Sequence, residues 1–115
     1  MQEIRKKKIE SLLREKISAM VLMGELKDPR INELVTVMDV SIAKDLRDAK
    51  IYVSIMGVEE TKKQILETLN HAAGFVQKLL GRRIRLRYTP RLTFFRDDSI
   101  EKGFRIDRLL KDLET

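Results

Sequence analysis

Over the first two dozen residues of the chain, apolar side chains return every three or four positions. Ile9, Leu12, Leu13, Ile17, Met20 and Met23 form one stripe, while Lys7, Ser11, Arg14 and Ser18 face away. That spacing predicts an amphipathic helix over residues 3–24. Gly24 can end it, and Asp28-Pro29 marks a turn through which no helix continues. From Leu34 to Ile42 the period falls to two, which predicts a strand. Leu34, Thr36, Met38, Val40 and Ile42 lie on one side of it, Val35, Val37, Asp39 and Ser41 on the other. A polar connection, Lys44 to Asp48, leads to a second strand over residues 49–56 with Ile51, Val53 and Ile55 inward. So short a link favours antiparallel pairing.

Thr61 followed by Gln64 gives a capping-box pattern ahead of Ile65, Leu66 and Leu69, which predicts a helix start. The helical pattern runs on to Leu80, with Gly81 as its C′ residue and a kink or one-residue break at Ala72-Ala73-Gly74, because mid-helix glycine costs about 1 kcal/mol relative to alanine. Residues 83–96 predict a third strand, with Ile84, Leu86 and Tyr88 opposite Arg83, Arg85 and Arg87. Pro90 has no amide donor and places an edge or a bulge there. Asp98 with Glu101 predicts a last helix bearing Ile106, Leu109, Leu110 and Leu113. The order is α+β, and 115 residues make one domain whose core needs no covalent staples.

Charge changes this picture more than composition does. The chain carries a net +6, yet residues 75–96 alone hold seven bases (Lys78, Arg82, Arg83, Arg85, Arg87, Arg91 and Arg96) and no acid. A polyanion is therefore addressed by one region. On the predicted strand Arg83, Arg85 and Arg87 would stand roughly 6.5–7 Å apart, close to the spacing of successive phosphates. A solvated arginine face is the competing reading, weakened by the lack of interleaved acids. Arg5, Lys6, Lys7 and Lys8 form a second basic run, either a solubilising helix start or a supporting RNA contact. The polar residues after it exclude a signal peptide, and no apolar run approaches the ~20 residues of a membrane span. With no cysteine, disulfides and thiolate chemistry are excluded and a reducing compartment, the cytoplasm, is expected.

Catalytic chemistry finds no foothold. His71 is the sole histidine, which leaves only carboxylates as zinc co-ligands, so neither metal nor cofactor is expected. No nucleophile–base pair, P-loop or dinucleotide fingerprint occurs, and no enzymatic activity is expected. Asp97-Asp98 and Glu59-Glu60 read as helix-start charges. Phe75 and Phe94 read as core residues, so an aromatic base-stacking surface of the RRM kind is not expected.

The element order resembles the type II KH domain. Asp28-Pro29-Arg30, Val40-Ser41 leading to Lys44-Asp45-Leu46, Ala49 to Val53, Ala72-Ala73-Gly74, Leu80 to Arg87 and Pro90 to Phe94 together resemble the ribosome-binding factor A family, over residues 4 to 110. The resemblance implies a monomeric KH-like fold with a C-terminal helix packed on a three-stranded sheet. It also implies contact with 16S ribosomal RNA, a role in maturing the small (30S) subunit and processing its precursor RNA, and importance for growth in the cold. In ordinary KH domains a Gly-x-x-Gly loop clamps the nucleic-acid backbone. Ala72-Ala73-Gly74 stands in its place, so the contact is expected instead from Lys78, Arg82, Arg83, Arg85, Arg87 and Arg91. Two other readings stay open: a general single-stranded RNA-binding module, and an interaction domain for acidic proteins.

Overall fold

The computed structural model describes residues 2–99, so the expected last helix lies outside the described residues. Helix α1 spans Gln2–Leu22. Leu13, Ile17, Met20 and Val21 are buried, with Ile9 and Leu12 packed against them. Met23, expected on this stripe, is exposed instead. The helix has ended by then, and the chain turns away through Gly24 (φ +70°) and Lys27 (φ +64°).

Asp28-Pro29, read as a stop, is also a start. A short helix, α2, spans Pro29–Leu34, and an Asp28 carboxylate oxygen accepts the Arg30 amide at 3.0 Å. Aspartate satisfies an orphan donor, and proline in the first turn has no amide to lose.

Strands β1 (Val35–Ile42) and β2 (Asp48–Ile55) pair antiparallel as expected. The register shifts between Val37 and Asp39, leaving Met38 without a partner. This bulge reverses the face midway: Val35 and Val37, then Val40 and Ile42, point to the core. The expected single face of Leu34, Thr36, Met38, Val40 and Ile42 is thereby corrected: Val40 and Ile42 share the core with Val35 and Val37, and Thr36 is exposed.

Helix α3 spans Glu59–His71 and α4 spans Ala73–Arg83. The chain breaks between them at Ala72, whose amide still reaches Thr68 and Leu69 carbonyls. Helix α3 starts two residues before Thr61, after Val58, which supplies no side-chain cap, so Thr61 and Gln64 are not a capping box. Gly81 does not end α4 either. A Cβ there would lie 3.1 Å from the Thr89 hydroxyl, so glycine admits the following loop against the helix.

The largest difference lies in the third strand. Strand β3 is Arg91–Arg96, parallel to β2, in the sheet order β1-β2-β3. Arg83 closes α4 and residues 84–90 are irregular, so Arg83, Arg85 and Arg87 do not share a strand face. Ile84 and Pro90 anchor the loop by burial. A parallel return needs a long crossover, here α3 and α4. On the β3 edge, Asn70 stands in for a missing strand: its amide nitrogen donates to the Phe94 carbonyl at 3.1 Å and its oxygen accepts the Phe94 amide at 2.8 Å. Inward residues of all three strands join Leu13, Ile17, Ile65, Leu69, Val76 and Leu80 in one cluster. Each fully buried side chain of this size contributes about 1.5–3 kcal/mol. The architecture is α+β, with the α-β-β-α-α-β order of a type II KH domain plus the small insertion α2.

Candidate nucleic-acid interface

The parallel pairing of β2 with β3 sets Asp48 beside Arg91, and so joins two loops far apart in sequence. The Arg91 amide donates to the Arg47 carbonyl at 2.8 Å, clasping the β1–β2 loop to the segment after α4. The Arg91 guanidinium, 77 % exposed, lies 3.1 Å from an Asp48 carboxylate oxygen. The Tyr88 ring carries two further guanidinium groups, Arg87 at 5.7 Å and Arg47 at 6.0 Å from its centroid. Cations near an aromatic face are held by its quadrupole, for about 0.5–1 kcal/mol when exposed.

The N-terminal basic run divides. Arg5 and Lys6, with Glu3 and Ile9, line a groove whose other wall is Lys44 and Leu46 of the β1–β2 loop. A Glu10 carboxylate oxygen accepts the Ile42 amide at 2.7 Å and fixes α1 against the strand end. Lys7 and Lys8 line a different groove, with Ile4, Ser11, Leu12 and Glu15. The β1–β2 loop is thus the bridge: Arg5, Lys6 and Lys44 gather on one side of it, Arg87 and Arg91 on the other.

A further groove runs along α4, lined by Gly74, Phe75, Gln77, Lys78, Gly81 and Thr89. It begins next to the Ala72 break, and the Gln77 side chain, donating to the Thr89 carbonyl at 3.1 Å, ties the helix to the loop that carries Tyr88. Ala73 packs against the core, whereas a Cβ on Gly74 would meet nothing within 4 Å. Phe75, expected in the core, is 45 % exposed on this groove, while Phe94 is buried as expected.

The acid-free stretch is not free of acids in space. Both terminal nitrogens of Arg83 meet Glu25, at 2.8 and 2.6 Å. That hydrogen bonding holds the Glu25 carboxyl below its usual range and raises the arginine. At the far end of β3, Arg96 is 18 % exposed and meets Glu59 at 2.6 and 3.0 Å and Asp98 at 3.4 Å. The Arg96 bond draws the Glu59 carboxyl down and lifts the Arg96 guanidinium, while its buried Nε has no partner among the described residues. Glu59 therefore serves the sheet edge as well as the start of α3. Lys78, Arg82, Arg85 and Arg87 form no ion pair among the described residues and remain free for an anion.

Lys44, Arg47 and Tyr88 are the members that reading the sequence missed. In sequence they are a polar link and an apparent inward strand position. Only the parallel pairing brings them together. Among the described residues no three His, Asp or Glu side chains gather as a metal site, and no helix is long and apolar enough to cross a membrane. The arrangement can hold phosphates at several points, and stack aromatic rings, without any bond being made or broken.

Comparison with known proteins agrees with this architecture. The protein from Caldanaerobacter subterraneus subsp. tengcongensis named ribosome-binding factor A is 46 % identical over 111 residues, covering 96 % of this chain and 90 % of the relative. That of Acetivibrio thermocellus is 49 % identical over 92 residues, 80 % of this chain and 75 % of its own. The crystal structure of ribosome-binding factor A from Thermus thermophilus superposes with a TM-score of 0.67 at 32 % identity, over 79 % of this chain and 94 % of that one. A homology model of the Thermus protein, as fitted into the cryo-electron-microscopy map of a complex of the 30S subunit with ribosome-binding factor A, gives a TM-score of 0.64 at 30 % identity, over 79 % and 93 %. The model of the family described as ribosome-binding factor A matches residues 5–110, from the basic start of α1 through both loops and all of β3, and the chain belongs to that family.

Proposed function

We propose that this protein is a non-catalytic, monomeric assembly factor that docks on the small ribosomal subunit in the cytoplasm and assists late maturation of 16S ribosomal RNA and processing of its precursor. One observation carries the reading. The β1–β2 loop joins cations of α1 on one side to those of the loop after α4 on the other, and Lys78, Arg82, Arg85 and Arg87 have no acid partner among the described residues. The Thermus relative fitted into a 30S complex supports the small subunit as the partner.

The break at Ala72 is followed by a single glycine, so it lacks the second glycine with which a Gly-x-x-Gly loop approaches four nucleotides. Structured RNA met across several phosphates fits better than a threaded single strand. The factor would act by occupancy, holding or excluding one conformation of the RNA.

Co-sedimentation with immature and mature small subunits tests this, comparing wild type with an Arg82→Glu/Arg85→Glu/Arg87→Glu variant of unchanged melting temperature. Wild type should pellet and the variant should not. Neutralising about five phosphates should give a log–log salt slope near −3.5 to −4.5. A wild-type affinity indifferent to salt would count against docking through the basic face, whereas pull-down partners that survive nuclease treatment would point to acidic proteins instead.

A further inference from the structure

From the geometry around Tyr88 we infer a stacking site for an unpaired RNA base, framed by Arg47 and Arg87. The inference rests on the RNA-binding reading above and names the kind of nucleotide met at one point of it.

Tyr88 is 53 % exposed, on a loop secured at both flanks by the burial of Ile84 and Pro90. Its hydroxyl makes no hydrogen bond among the described residues. A tyrosine kept for packing would bury its ring; here much of the ring faces solvent while the backbone around it is fixed. The Gln77 bond to the Thr89 carbonyl and the Arg91 bond to the Arg47 carbonyl hold the loop from two sides.

Two guanidinium groups within about 6 Å of one ring centroid also repel each other, and neither forms an ion pair with a carboxylate among the described residues. Asp45 accepts the Arg47 amide at 3.1 Å, and Asp48 holds the Arg91 side chain. A bound anion would relieve that repulsion. A nucleotide supplies both a flat base for the exposed ring and phosphates for the two arginines. A paired base cannot offer its face, so the ligand is a bulged, looped or flipped-out nucleotide within otherwise structured RNA. An acidic protein segment would meet the arginines and leave the ring unused.

The test uses two RNA hairpins of equal length, one fully paired and one carrying a single bulged 2-aminopurine, whose fluorescence reports stacking. Wild type and Tyr88→Phe should quench the probe and favour the bulged hairpin by roughly 5- to 150-fold, the range expected for stacking one base on an aromatic ring. Tyr88→Ala, its fold verified by an unchanged melting temperature, should lose the quenching and the preference while keeping the salt slope. Arg47→Gln should lower the affinity and reduce that slope by about 0.7–0.9. Equal, salt-dependent binding of wild type to both hairpins, without quenching, would overturn the stacking site and leave the basic face standing. Binding to neither hairpin at any salt would overturn both.

Discussion

Strand β3 begins and ends with arginine, and the two residues lead different lives. Arg91 is 77 % exposed and held by one carboxylate, and its backbone amide joins it to Arg47, which with Arg87 flanks the Tyr88 ring. Arg96 is 18 % exposed and gripped by Glu59 and Asp98. Residue type is the same and the sequence places both in one acid-free run. Only the partners that the fold delivers separate a solvent-facing arginine from a structural one. The neighbours follow the same division. The Arg91 end collects cations from α1 and two loops, whereas the Arg96 end collects Glu59, Asp97 and Asp98. A polyanion approaching the molecule meets attraction at one end of the strand and repulsion at the other.

The comparison breaks most completely if the strand itself is lost. Phe94, between the two ends, is fully buried, and Phe94→Ala should cost about 3–5 kcal/mol in denaturant unfolding, removing both ends together. Next in size, Arg85→Glu/Arg87→Glu should leave the unfolding midpoint in place and weaken subunit binding by at least tenfold, with a salt slope shallower by one to two units, as expected when roughly two phosphate contacts are lost. At the other end Arg96→Ala should do the reverse. Its loss of charged hydrogen bonds costs about 1 kcal/mol, limited because Glu59 faces solvent, and subunit binding should not change.

The smallest effect is in pH. The Glu59 carboxyl is drawn below its ordinary value of 4.5 by Arg96, so the native state binds fewer protons than the unfolded chain through that window. This contribution is complete above about pH 5 and is lost as pH falls through the lowered value. Melting temperature measured from pH 6 to pH 3 should fall less steeply in Glu59→Gln than in wild type.

Much of this was legible beforehand, for reasons that particular residues make plain. The stripe Leu13, Ile17 and Met20 gave α1, and the short polar link gave the β1–β2 hairpin, because each depends on neighbours in sequence. Strand β1 held a signal that simple alternation hid: Val35, Val37, Val40 and Ile42 are spaced by two, three and two, the mark of a bulge at Met38. Asp28-Pro29 carried a helix start as well as a stop. Residues 83–90 misled because Ile84, Leu86 and Tyr88 alternate with arginines as a strand would. What prevents pairing there is tertiary: Gly81 admits Thr89 against α4, and β2 takes up its partner only from Arg91. The site was half visible for the same reason. Lys78, Arg82, Arg85 and Arg87 stand out as charges without acids, but Glu25 reaches Arg83 from 58 residues away, and Arg47 reaches Tyr88 only through the parallel pairing.

The most direct measurement sets the two ends of β3 against each other on the same partner. Affinity for purified small subunits would be followed against salt for wild type, Arg87→Glu/Arg91→Glu and Arg96→Gln, with unfolding curves run in parallel. The first variant should lose binding with its stability intact, and the second should lose stability with its binding intact. Equal loss of binding in both variants, or none in either, would contradict the division of roles between the two ends.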